Sequence, residues 1–312
     1  MAITASPRLK ELALDLTSAF PRSPHESLAG YVVAARALDK CRAFLNGTLG
    51  EYNYNCPLDK QFFEFAEINP DDFTGFVATG ATDEEVVAWI QSHAKARERV
   101  ESVLWNNRMR SRTPADLPPE IQVMWEEEMP GHLFAGKRPL YRTFDLLDLE
   151  EERIPVSASD VYGLSQPSDA KAKDLTREFP RSPRVMLAGY VIAARALDKC
   201  RALLNGTVGP YIFNGGMDKQ FFEFTGIDAD AFRAFVSTGA DDVAVADWIV
   251  QHAKPRSKSE IAQWNNKLRY LSISALSPEA QLALDGLIAE LNSKGKLPRV
   301  WFDVYDMDEE RL

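Results

Sequence analysis

Apolar blocks separated by helix start and stop signals dominate the chain, and strand-like alternation is scarce. Ser23 followed by Pro24 reads as an N-cap with proline at the first helical position, and Gly47 stops that helix. Asn55 or Cys56 before Pro57 opens a second helix that runs to about Ala66. Asn69-Pro70 opens a third, stopped at Gly80, and Thr82-Asp-Glu-Glu85 is a capping box for a fourth carrying Trp89 and His93. Lys95 to Arg110 and Pro119 to Glu128 predict two more. Only the tails around Phe144 and Trp301 are candidates for extended pairing. The expected class is all-α.

The same pattern then returns. Phe20-Pro-Arg-Ser-Pro24 recurs as Phe179-Pro-Arg-Ser-Pro183, and Ala34 to Ala43 recurs unchanged as Ala193 to Ala202. Asp59 to Phe65 matches Asp218 to Phe224, and Trp105-Asn-Asn107 matches Trp264-Asn-Asn266. The register slips by one residue before the tails, where Phe144 to Asp148 matches Phe302 to Asp306. A period this long is a whole domain rather than a solenoid unit. The expected organisation is a helical domain over 8–154, a Ser-, Pro- and Asp-rich linker over 155–169 and a second helical domain over 170–312. Two such domains commonly pack about a pseudo-two-fold axis, so a monomeric fused dimer is expected.

Composition narrows the function classes. The 312 residues suffice for two ordinary cores, and 45% hydrophobic with 26% charged residues suits a globular protein. A net charge of −10 offers no overall field for a nucleic-acid backbone, so nonspecific nucleic-acid binding is not expected as a main role. No stretch has the apolar length of a membrane span, and Cys41, Cys56 and Cys200 are too few for a disulfide framework. A cytoplasmic location is expected. No His or Cys spacing suggests a metal, and no phosphate loop, nucleophile elbow or dinucleotide fingerprint suggests a cofactor.

The stretch from Pro24 to Asn46 carries the candidate chemistry. It is apolar nearly all round until Arg36, Asp39 and Lys40, which share one helical face and recur as Arg195, Asp198 and Lys199. One reading is a structural ion network in which Asp39 bridges Arg36 and Lys40 or reaches the other copy. The other is a pocket for a small anionic molecule, with Arg36 gripping a carboxylate or phosphate and Lys40 or Asp39 moving protons. Arg22 and Arg181, beside helix N-termini, would help hold the anion. Tyr52 and Tyr211, with Asp59 and Asp218 in the first turn of the next helix, would complete the wall. Arg42 reads as a solvated or capping charge, and Lys60 with Glu64 as a surface pair.

Differences between the copies add one more candidate. Cys56 lies at a helix N-terminus, where a thiol gains reactivity, and Gly215 replaces it in the second copy. As a nucleophile it would look to His93, the retained histidine of that copy. His93 and His252 otherwise read as exposed or capping, and His25, opposite Arg184, as incidental. The basic segment Lys95 to Arg112 around Trp105 offers either an RNA contact or, more commonly, a solvated helix face.

Phe20 to Pro24, Ala35 to Arg42, Cys56-Pro-Leu-Asp59 and the tail Phe144 to Asp148 together resemble a bacterial family known only as a domain of unknown function, number 5069 in its series. The resemblance covers both halves and implies a doubled domain, but it brings no activity. The leading expectation is therefore a cytoplasmic binder of a small anionic metabolite, with acid–base chemistry of the lyase or isomerase kind. The alternative is a noncatalytic interaction or structural module.

Overall fold

The computed structural model describes residues 6–128, 141–154 and 172–312. The linker expected over 155–169 lies outside the described residues. Fifteen α-helices and one two-stranded hairpin make up the regular structure among the described residues, so the fold is all-α. The chain divides into two compact units. Unit 1 is Met1–Arg112 with Arg142–Pro155, and unit 2 is Thr113–Tyr141 with Val156–Leu312.

Unit 1 begins with α1 (Pro7–Leu12), followed by the hairpin of β1 (Ser27–Leu28) and β2 (Tyr31–Val32). Then come α2 (Ala34–Asn46), α3 (Pro57–Ala66), α4 (Pro70–Val77), α5 (Asp83–His93) and α6 (Arg99–Ser111). Unit 2 receives α7 (Pro119–Glu128), and the chain returns to unit 1 for α8 (Thr143–Glu150). The rest of unit 2 is α9 (Ala193–Leu204), α10 (Gly216–Thr225), α11 (Ala229–Val236) and α12 (Asp242–His252). It closes with α13 (Lys258–Arg269), α14 (Pro278–Ser293) and α15 (Trp301–Asp308).

The helix starts follow the local chemistry. Asn69 caps α4 through the Asp71 amide, and Thr82 and Glu85 close the expected box at α5. Each unit has its own core. In unit 1, Leu38 and Cys41 of α2 pack with Phe62, Phe63 and Phe73, while Trp105 and Phe144 close the far side. Unit 2 repeats this with Leu197, Cys200, Phe221, Phe222, Phe232 and Phe302.

Two expected elements differ. The helix expected from Pro24 starts only at Ala34, because residues 27–32 form a hairpin. Ala29 and Gly30 both adopt positive φ, at 51° and 86°, as a two-residue hairpin turn of the primed type requires. Tyr31-Val32-Val33, aromatic and β-branched, suits an extended segment better than a helix. Apolar residues on every side reported burial correctly but not conformation. The tails around Phe144 and Trp301, weighed as extended, are the helices α8 and α15. Their buried faces, Phe144, Leu146 and Leu149 or Trp301, Phe302 and Val304, face the cores.

The junction into α2 is strained. Val33 holds φ 70° and Ile192 holds φ 71°, a region that β-branched residues seldom enter. Asn106 pins the hairpin in place: its Oδ1 accepts from the Val32 amide at 3.1 Å, and its Nδ2 donates to the Gly30 carbonyl at 2.8 Å. Asn265 makes the same pair of bonds to Val191 and Gly189. The first asparagine of each Trp-Asn-Asn motif is thus a staple that sets where the charged helix begins.

Candidate functional site

Arg36, Asp39 and Lys40 share a buried face of α2, yet each meets a different partner. Arg36 forms a two-pronged pair with Glu151, Nη1 to Oε2 at 2.8 Å and Nη2 to Oε1 at 2.5 Å. The Tyr52 hydroxyl donates to the same carboxylate at 3.0 Å, and its ring lies 5.6 Å from the guanidinium. Arg153 also reaches Glu151 and Asp148, and donates to the Pro21 carbonyl. Burial alone would raise the pKa of Glu151, but Arg36, Arg153 and Tyr52 hold it below the usual range. Burial, reinforced by the Glu151 charge, pushes the Tyr52 phenol up, so it stays a donor.

Asp39 does not bridge Arg36 and Lys40. It takes the Arg22 amide at 2.8 Å and two guanidinium nitrogens at 2.9 and 2.7 Å. Arg22 also holds Asp83 at 2.6 Å. Arg42, expected at the surface, is buried and joins the same cluster, donating to Asp83 at 2.7 Å and to the Ala81 carbonyl at 2.9 Å. The reason lies in packing: the N-terminus of α5 comes against α2, and Asp83 there supplies the charge that a buried arginine requires. Beside it, Ser23 donates to Asp148 at 2.7 Å. The Phe-Pro-Arg-Ser-Pro motif therefore clamps the N-terminal loop onto α2, α5 and α8.

Lys40 makes a separate corner with Asp59, at 2.8 Å, and donates to the Asn53 carbonyl at 3.1 Å. Its ammonium also stands 3.3 Å from the Cys56 sulfur, and Asp59 accepts from the Cys56 amide at 3.4 Å. Cys56 is half-buried, whereas burial pushes the Cys41 and Cys200 thiols up to about 12. The sulfur thus meets Lys40 and not His93. The His93 ring is exposed, stacks on Trp89 at 4.2 Å and turns its Nδ1 to the Trp89 carbonyl at 2.8 Å.

Unit 2 repeats the arrangement. Arg195 pairs two-pronged with Glu309, and Arg181 pairs with Asp198 at 2.7 Å and Asp242 at 2.6 Å. Arg201 joins Asp242 at 2.6 Å, and the Tyr211 ring lies 5.5 Å from Arg195. Lys199 pairs with Asp218 at 2.7 Å. Burial lowers the pKa of this lysine and raises that of its aspartate, so here desolvation outweighs the attraction. Gly215 leaves the place of the thiol empty, and a Cβ there would stand 3.1 Å from the Ile212 carbonyl oxygen.

Several partners escaped the sequence reading: Glu151 and Glu309, Asp83 and Asp242, Arg153 and Arg311. All three pairs stand at equivalent places in the two repeats, so matching the tails beyond Asp148 and Asp306 would have found most of them. His25 is not incidental either. It pairs with Asp145 at 3.0 Å, and its counterpart Arg184 is buried between Asp303, at 2.6 Å, and Asp306.

Trp105, the aromatic of the basic segment, is buried and stacks on Phe65 at 4.6 Å, so it is not presented to a nucleic acid. A cavity of about 480 Å³ opens between α1, α4 and α5, lined in part by Arg8, Phe76, Gly80, Glu85 and Trp89; it includes none of the Arg36 or Lys40 clusters. Among the described residues no group of His, Cys, Asp or Glu stands ready to hold a metal, and no helix is long and apolar enough to cross a membrane.

The family model described as Domain of unknown function (DUF5069) matches residues 18–153 and again 177–311. The chain belongs to this family, as a tandem duplication of its domain. No curated protein matches the chain.

Proposed function

We propose that this protein is a noncatalytic helical module that works by presenting surfaces to a partner, with the charges shared by its repeats holding its shape. One observation carries the reading: Arg22, Arg36, Lys40 and Arg42 each face carboxylates of their own unit, and Arg181, Arg195, Lys199 and Arg201 do the same. An anion seated on Arg36 or Arg195 would have to displace Glu151 or Glu309 and strand a buried carboxylate, which costs several kcal/mol. Nothing comparable opposes a structural role.

The test is thermal unfolding with millimolar phosphate and citrate as probes. The midpoint is expected to stay where it is. A rise that Tyr52→Phe abolishes without lowering the unliganded midpoint would replace this reading with the anionic-metabolite site.

One observation favours a second reading, confined to unit 1. The half-buried Cys56 thiol stands at the start of α3 with the Lys40 ammonium 3.3 Å away, so a cation faces a partly open sulfur. It would support thiol chemistry there and none at Gly215. Alkylation of the native protein by iodoacetamide reads it: slowing by about tenfold in Lys40→Met would support it, and an unchanged rate would remove it.

A further inference from the structure

The equivalent helices α6 and α13 differ in what covers them. On α13 the face formed by Lys258, Ala262, Asn266 and Arg269 is occupied by α7. Asn266 donates to the Gln122 Oε1 at 3.1 Å, Arg269 clasps Glu126, and Lys258 meets Glu127. Asn266 and Arg269 are each only 2% exposed as a result.

The counterpart face of α6 carries Arg99, Val103, Asn107 and Arg110. It keeps the same donor pattern, and no described residue of unit 1 covers it. Asn107 and Arg99 are exposed, and the side chains of Arg99, Asn107 and Arg110 make no hydrogen bond or ion pair among the described residues. Beside them Val100 and Leu104 are 61% and 64% exposed, where α13 has Ser259 and Gln263. A helix face that is apolar in its middle and cationic at its ends marks a docking surface.

We infer that this face of α6 takes α14 from a second copy of the chain. The helix α14 is the repeat's equivalent of α7 and presents the matching groups outward. Gln281 anchors its Nε2 on the Leu276 carbonyl at 2.8 Å, as Gln122 does on Leu117, which leaves its Oε1 to accept from Asn107. Asp285 stands in the place of Glu126, exposed and with no ion-pair partner among the described residues, to meet Arg110. Leu282, 79% exposed, lies between them to cover Val103 and Leu104. Two chains related by a two-fold axis exchange two such helices, which closes the assembly.

The inference rests on the interaction-module reading but is measured separately: self-association by sedimentation, anion binding by melting. Sedimentation of the full chain over a concentration series is expected to show a dimer. Arg110→Glu and, separately, Asp285→Arg are each expected to weaken it about tenfold with unchanged melting midpoints. Both changes in one chain should restore association by exchanging the charges. A wild-type chain that is monomeric up to about 100 µM, a range in which specific contacts of this kind associate, would overturn the inference. So would single variants that dimerise normally, or a double variant that stays weak.

Discussion

The corner at Lys40 and the corner at Lys199 are built on the same lysine–aspartate pair, 2.8 Å apart in unit 1 and 2.7 Å in unit 2, yet they end differently. In unit 1 the ammonium also meets a thiol, and in unit 2 the same place is glycine. On the same helices the arginine–glutamate pairs are the same in both. The loop wall beside His25 or Arg184 diverges again, a half-exposed histidine–aspartate contact in one and a buried arginine between two aspartates in the other. The arginine and lysine pairs of the α2 and α9 faces recur in both units, whereas the groups beside them differ, thiol or glycine at one place and histidine or buried arginine at the other. Shared charge here marks the frame of the domain.

The strongest way to break that comparison is to remove a frame arginine. Arg195→Met would leave Glu309 buried with Arg311 and the Tyr211 hydroxyl, at an expected cost of about 3–5 kcal/mol in urea unfolding, and Arg36→Met should behave alike. The double replacement Arg195→Met with Glu309→Leu should recover most of that loss, since an apolar pair of similar size needs no compensation. A single variant as stable as the wild type would deny these residues their structural role.

Next in size is the position where the units diverge. Arg184→His, which installs the unit 1 residue, would leave Asp303 and Asp306 undercompensated and should cost about 3 kcal/mol. The converse His25→Arg faces a half-exposed aspartate and should change stability by less than about 1 kcal/mol. Equal effects at the two sites would erase the distinction between them.

Acid should unfold the frame from its carboxylates. Glu151, Glu309, Asp83 and Asp242 all have pKa values lowered by their arginines against the opposing effect of burial. Their stabilisation is present above the ordinary carboxylate range near 4 and is lost as pH falls through the lower folded values. Asp218 has the opposite sign: its raised pKa favours the fold at low pH and is a liability once it ionises. The urea midpoint should therefore fall below about pH 4, and Asp218→Asn should make that fall steeper by removing the opposing contribution.

The smallest effect separates the thiols. Cys56→Gly, which copies unit 2, should change stability by only a few tenths of a kcal/mol, because glycine is a tolerated N-cap. It should also remove the single fast-reacting thiol of the native protein, since Cys41 and Cys200 are buried. A second fast thiol in the wild type would contradict the burial of α2 and α9.

Much of the frame was legible because helix punctuation is local. Asn69, Thr82 and Glu85 announce their helices through bonds to amides two or three residues away. The hairpin before α2 was missed because Leu28 to Val33 is apolar throughout, which signals burial without period. The Arg36, Asp39 and Lys40 face was visible as three charges one turn apart. Their partners were not, because Glu151 is 115 residues from Arg36 and Asp83 is 61 from Arg22.

The sequence by itself determined that this protein is a duplicated helical domain, that α4 and α5 begin at Pro70 and Asp83, and that one charged triplet is common to both copies. Those facts follow from repeats and from contacts made within a single turn. Only the tertiary structure decided that Asp39 serves Arg22, that Arg42 is interior, that Cys56 faces Lys40, and that α7 packs on α13 while the matching face of α6 stays open within unit 1. A charge has no partner written beside it in the chain: packing decides which distant carboxylate reaches it, and burial then makes that choice costly to undo.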